Sequence, residues 1–251
     1  MNATRASRLI STIQILVSSI LSLMIVIGIF LTYKAGRQYV PGMLMEIYPE
    51  MTIILGTLIP VLILRIKHRS LVAEGYLLPL FLLLLSLQTT RMLPSILDYS
   101  GMDIISYSKV AIMERFFFMA SYAVLLFASI QNMKNVSTAR TGVNIVFSLI
   151  AVFVVAYIIP TSSVDGLDNI HDIVFDMLVL LILLSGVATY LVSFISDRES
   201  YHMKRFFTFL FISLGDYLIM IGNGSFSLSL SGTILFVIGA VMLSIVSPKG
   251  Y

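Results

Sequence analysis

Apolar stretches of about 20 residues, the length an α-helix needs to cross a bilayer, recur along the whole chain. They lie near 9–32, 47–65, 71–93, 110–131, 141–160, 170–195, 205–222 and 226–247, and they predict eight transmembrane helices. Between them stand the polar breaks KAGRQYVPG, RIKHRS, LDYSGMDIISYSK, KNVSTART, PTSSVDGLDN, SDRESYHMKR and IGNGS. The last is a tight turn, so the seventh and eighth spans read as an antiparallel hairpin. Within the third break, Asp98–Ser108 has room for a short interfacial helix, and Pro79 and Pro94 are placed to bend the third span. The first span follows Arg5 and Arg8 and runs for about 23 nearly uncharged residues. That exceeds a signal-peptide core, and the span is expected to be retained.

Composition supports the same class. Of 251 residues, 58% are hydrophobic and 12% charged, against about 25% charged in soluble domains. The expected fold is therefore an all-α polytopic bundle, a single transmembrane domain over 1–251. A duplication into halves 1–137 and 138–251 would align FLLLLSLQTTRML with FLFISLGDYLIM, pairing Ser86 with Ser213. The net charge of +3 forms no basic stripe, so no nucleic-acid partner is expected, and the absence of cysteine excludes disulfides, thiolate catalysis and cysteine-ligated metals.

Basic residues set the orientation. With the N-terminus inside, Arg5, Arg8, Arg65, Lys67, Arg69, Lys134, Arg140, Arg198, Lys204, Arg205 and Lys249 collect on the cytoplasmic side; Lys34, Arg37 and Lys109 fall outside. Both termini are then cytoplasmic, in the cell membrane.

Charges inside the spans are the candidate chemistry, because a bare charge in hydrocarbon costs at least a few kcal/mol and calls for partners on neighbouring helices. Asp216 stands with no basic residue within ten positions. On this topology Glu50, Arg91, Glu114, Arg115, Asp172, Asp176 and Asp216 all lie in the outer half, forming either an ion-pair layer or a net acidic cavity open to the outside. The simplest wiring joins Arg115 to Asp176 or Asp216, and Glu114 to Arg91. Five carboxylates against two arginines leave negative charge over, to be met by protonation or by a cation. Asp165, Asp168, Asp172 and Asp176 are spaced to share one helix face if the sixth helix starts early; near a helix start, such residues also serve as caps.

His68 and His202 fall in cytoplasmic loops and His171 stands alone, so no metal site and no cofactor are expected. No histidine or lysine is placed to activate Ser86 or Ser213, and no GxSxG, HExxH or P-loop motif occurs. Ser225, Gly232 and Gly239 recur every seven residues on the last span, with Ser229 between, and Ser185, Thr189 and Ser193 recur every four on the sixth. Both faces suit close packing, the first most simply against the seventh span, with a homodimer as the other use.

The segment LFISLGDYLIM, followed by a turn and GTILF, resembles the Gly-Asp or Ser-Asp segments of the lysoplasmalogenase family, small proteins of eight spans. The likeness covers Leu210 to about Phe236. Where that family carries an acidic segment in its third span this chain reads SLQTTRML, and the family's early Lys-Pro pair is missing. The resemblance implies Asp216 alone as a catalytic acid. Three function classes follow. The first is a ligand-binding, sensing or accessory module that relays through basic inner loops to a protein partner. The second is a lipid hydrolase using Asp216, a water and a second acid. The third is a proton- or cation-coupled transporter, which lacks a second polar gate in the inner half.

Overall fold

The computed structural model describes residues 3–66, 76–102, 105–133, 138–161, 172–197, 200–222 and 225–245. Among the described residues there is no strand, and nine α-helices make eight rods. These are α1 (Ala3–Ala35), α2 (Val40–Ile66), α3 (Leu77–Gln88) continued through a 3₁₀ turn into α4 (Met92–Tyr99), α5 (Tyr107–Met133), α6 (Thr138–Ile158), α7 (Ile173–Asp197), α8 (Ser200–Ile221) and α9 (Phe226–Ile245). Six of the rods are long and apolar enough to cross a membrane. The apolar part of α6, Gly142–Ile158, is shorter, and α8 carries Lys204, Arg205 and Asp216. The chain is an integral-membrane helical bundle.

The largest departure from expectation is the third rod. It begins at Leu77 and ends at Tyr99, six residues later than the apolar pattern suggests. The polar run SLQTTR consequently sits in mid-rod, and among the described residues no helix lies between Tyr99 and the start of α5 at Tyr107. The break inside the rod has a cause in Pro94, which has no N–H to give the carbonyl of Thr90 and whose ring crowds that turn. The chain tightens there into the 3₁₀ turn Thr89–Arg91, and the N–H of Met92 bonds the carbonyls of Thr89 and Thr90. The rod stops where Gly101 adopts φ 75°, letting its own N–H reach the Asp98 carbonyl and that of Met102 the Leu97 carbonyl. Helix α2 also carries prolines in its interior, Pro49 and Pro60, in addition to the Pro79 and Pro94 singled out by sequence.

Side-chain contacts give the directions. Thr32 meets Met43 and Arg65 meets Thr12, so α1 and α2 are antiparallel. Ser18 meets Ser86 and Thr32 meets Ser100, so α1 and the third rod are parallel. The same reasoning holds around the bundle. The rods α1, α3–α4, α6 and α8 run one way and α2, α5, α7 and α9 the other, which brings the two ends of the described chain to one face.

The third rod and α5 form the centre: 67% of the apolar window of each is buried, against 28% for α1. Outward-facing side chains on α1, α6, α7 and α9, such as Leu16, Phe147, Leu181 and Val241, are exposed apolar groups, as a lipid-facing surface requires. Packing within the bundle relies on small residues, because lipid gives apolar side chains little reason to prefer one another. A Cβ on Gly232 would lie 2.7 Å from the Gly215 carbonyl, and one on Gly239 would lie 2.7 Å from the Ile212 nitrogen. The small-residue face of α9 is thus taken up by α8. On α7, Ser185, Thr189 and Ser193 each return their hydroxyl to the carbonyl four residues back, and neighbouring Gly186 approaches the backbone of Leu126.

Candidate functional site

The break in the third rod is where the charged layer assembles. Arg91, the last residue of the 3₁₀ turn, gives Nε and Nη2 to Oε1 of Glu50 on α2, at 2.8 and 2.6 Å, with both side chains fully buried. Its Nη1 also reaches the Met220 carbonyl on α8 at 3.4 Å. Three residues earlier, Gln88 turns to α8 and donates its amide to Oδ1 of Asp216. The other carboxylate oxygen of Asp216 accepts from the Tyr122 hydroxyl of α5 at 2.8 Å, and that hydroxyl also lies 3.0 Å from the Ser213 carbonyl. Asp216 is therefore held by two neutral donors, with the Arg91 guanidinium and the Glu114 carboxylate within electrostatic reach. Glu50, Gln88, Arg91, Glu114, Tyr122, Ser213 and Asp216 are all inaccessible to solvent. Phe118 walls the group, stacked on Tyr217 with ring centroids 6.2 Å apart and edge-on to Tyr122 at 5.4 Å.

A second group joins α5 to the neighbouring helix ends. Arg115 donates to the carbonyls of Ile159 and Pro160, just past the end of α6, at 3.1 and 3.2 Å. There a cation completes carbonyls the helix cannot bond itself. Its charged neighbours are Glu114, Asp172 and Asp176. Helix α7 begins at Ile173, so Asp172 lies ahead of it as an N-cap, Oδ1 accepting from the Val174 N–H at 2.8 Å. Asp176 is half-buried, and its carbonyl lies 3.4 Å from the Tyr217 hydroxyl.

Of the seven charged residues expected from sequence, Glu50, Arg91, Glu114 and Asp216 thus share the central layer. Arg115, Asp172 and Asp176 share the second group, and Glu114 is within reach of both. Asp165, Asp168, His171 and His68 lie outside the described residues. The bond made by Arg91 to Glu50 was not among the expected pairings, and neither Gln88 nor Tyr122 was singled out. Both are neutral and stand in apolar stretches; Gln88 carried the one available signal, an amide in the run SLQTTR.

The polar atoms do not balance. Glu50 Oε2, Gln88 Oε1 and Ser213 Oγ are buried without a hydrogen-bond partner. A buried polar atom left unbonded costs about 1–3 kcal/mol, so three in one buried layer mark a place that is completed by something else. All three are oxygens that can accept. What completes the group must bring positive charge or donors. Among the described residues no cluster of three or more His, Cys, Asp or Glu is placed to hold a metal ion.

These observations define a multi-pass membrane protein with a buried, acceptor-rich charge layer at a helix break. Comparison with family models, with known proteins and with solved structures gives no match to this chain.

Proposed function

We propose that the central layer binds a small monovalent cation, inorganic or ammonium-bearing, inside the bundle, and that the chain is a ligand-binding and sensing protein of the cell membrane. The observation that carries this reading is the set of three buried acceptor oxygens without partners, on Glu50, Gln88 and Ser213, around a carboxylate held by neutral donors. A cation seated there would meet the orphaned oxygens and offset the carboxylates left over from the Glu50–Arg91 pair. With the termini cytoplasmic, as the basic residues favour, the layer lies nearer the outer face.

Thermal unfolding of the purified protein in detergent tests it, with choline chloride replaced at constant ionic strength by lithium, sodium, potassium or ammonium chloride. At a hundredfold excess over Kd, a ligand specific to the folded state adds about 2.7 kcal/mol. The expected result is a saturable rise in midpoint with at least one cation, lost in Asp216→Asn and in Glu50→Gln. Identical midpoints in every salt would refute the reading.

The neighbourhood of Asp216 and Glu114 favours a second reading. Two acids in reach of each other suit the activation of a water by one and protonation of a leaving group by the other, the chemistry of a lipid-directed hydrolase. Turnover of a lipid panel by the purified protein, abolished in both Asp216→Asn and Glu114→Gln, would put this reading first.

A further inference from the structure

A second polar group lies away from the charged layer, where α1, α2 and α3 meet. Ser86 Oγ is 3.0 Å from Ser18 Oγ, 2.8 Å from Thr57 Oγ1 and 3.0 Å from the Leu82 carbonyl. Thr57 Oγ1 is also 3.0 Å from the Ile54 carbonyl, and Gln14 Nε2 reaches Ser18 Oγ at 3.2 Å. All four side chains are fully buried. Three hydroxyl hydrogens have to serve four hydroxyl contacts, so one contact is always without a proton. Gln14 Oε1 has no partner at all. Turning the amide over leaves its nitrogen unpartnered instead and asks still more of the hydroxyl hydrogens. Like the charged layer, this group is rich in acceptors and short of donors, yet it contains no charged side chain.

The two groups lie on one seam. Down the interface of α2 with the third rod run the contacts Glu46–Ser95 at 2.6 Å, Glu50–Arg91 at 2.6 Å and Thr57–Ser86 at 2.8 Å. From Ser95 to Ser86 the seam covers about 14 Å, at the helical rise per residue. One end opens through Ser95 to Tyr107 and Asp98, whose mutual contact is exposed. At the other end Thr12, two residues before Gln14 on α1, takes an exposed contact from Arg65. Between the stations Thr89 returns its hydroxyl to the Ser86 carbonyl, next to Gln88.

We propose that Gln14, Ser18, Thr57 and Ser86 form a second, uncharged station for the same small monovalent cation, and that the bundle conducts it from one face to the other. This rests on the binding reading above. Conduction needs stations that bind well enough to enter and weakly enough to leave, and a neutral oxygen site after an acidic one provides that step. The cation is the one that raises the thermal midpoint, an alkali ion or ammonium, and the oxygens of the seam can take either.

Flux in proteoliposomes decides it, read in one arm with a pH-sensitive dye trapped inside, which reports ammonium entry, and in the other with a radioactive isotope of the alkali ion that raises the midpoint. Wild-type protein is expected to conduct in one arm, and Asp216→Asn to conduct in neither. Thr57→Val combined with Ser86→Ala should lower flux at least tenfold while keeping the cation-dependent rise in thermal midpoint that reports the acidic layer. If that variant does not fold, Gln14→Leu removes the orphaned amide in a similar volume and should give the same split. Flux in these variants equal to wild type would mean that the second group holds structural water only, and would overturn the proposal. Cation binding by a wild-type protein with no flux in either arm would overturn it too, leaving the binding reading intact. Absence of both binding and flux would remove the two together.

Discussion

Breaking the Glu50–Arg91 pair is the sharpest test of how the bundle is held. Removing one partner of a buried ion pair costs about 3–5 kcal/mol, because the other charge is left in a medium that cannot solvate it. The two single changes are not equivalent here. Glu50→Leu strands Arg91, but that guanidinium keeps the Met220 carbonyl at 3.4 Å and the field of Asp216. Arg91→Leu strands Glu50, one of whose oxygens already lacks a partner, and also takes the nearby cation from Asp216. Arg91→Leu should therefore fall near the top of that range, about 5 kcal/mol, and Glu50→Leu near the bottom, about 3 kcal/mol. The double variant removes both charges and should cost less than Arg91→Leu alone. That gives a coupling of more than about 3 kcal/mol, at or above the upper end of what contacting residues show. Unfolding in mixed micelles, titrated with a denaturing detergent and followed by circular dichroism, provides the three free energies. Additive single costs, or Glu50→Leu worse than Arg91→Leu, would refute the reasoning.

Four further outcomes follow from contacts outside the Glu50–Arg91 pair. Gly232→Ala should destabilise by more than about 2 kcal/mol, since its Cβ would press on the backbone of α8 at Gly215 and Ile219. Gly142→Ala, where the new methyl meets only the Tyr76 hydroxyl at 3.6 Å, should be neutral or stabilising in the same unfolding assay. Asp172→Ala removes the N-cap of α7 and should cost about 1 kcal/mol, with Asp172→Asn close to wild type. Arg115→Met leaves the carbonyls of Ile159 and Pro160 without their donor and should cost about 2–4 kcal/mol, with Arg115→Lys recovering only part, as thermal midpoints would show.

The eight rods were legible because a membrane segment announces itself by length and apolarity, and most boundaries fall within a few residues of the hydropathy breaks. The third rod is displaced at both ends, and the reason is physical. Hydropathy places polar residues near span ends, but inside a bundle they can be bonded in mid-membrane, as Gln88 and Arg91 are. That Asp216 must be enclosed was legible from its isolation. Who encloses it was not, since Gln88 and Tyr122 come from rods distant in sequence and neither carries charge. The alternative role of Asp172 as a cap was readable from its place before an apolar run, and that is the role the structure gives it. The seam of Gln14, Ser18, Thr57 and Ser86 was hidden because hydroxyls in membrane helices usually bond their own backbone, as Ser185 and Thr189 do.

The broken third rod ties stability to the proposed chemistry. An unbroken helix from Leu77 to Tyr99 would advance about 100° per residue, whereas the 3₁₀ turn advances about 120°. The change of pitch alters the relative bearings of Gln88, which faces Asp216, and Arg91, which faces Glu50. The same turn begins at Thr89, whose hydroxyl is bonded to the carbonyl of Ser86. A cation that draws Gln88 or Glu50 toward itself therefore pulls on the three residues whose pitch sets the position of Ser86. Pro94 keeps that segment from closing into a regular helix, because it cannot donate to the Thr90 carbonyl. Restoring the donor with Pro94→Ala would favour regular α-helical pitch and turn Gln88 and Arg91 relative to each other. Through this geometry one backbone defect, three residues from Arg91, bears on both the ion pair that holds the bundle and the oxygens proposed to take a cation.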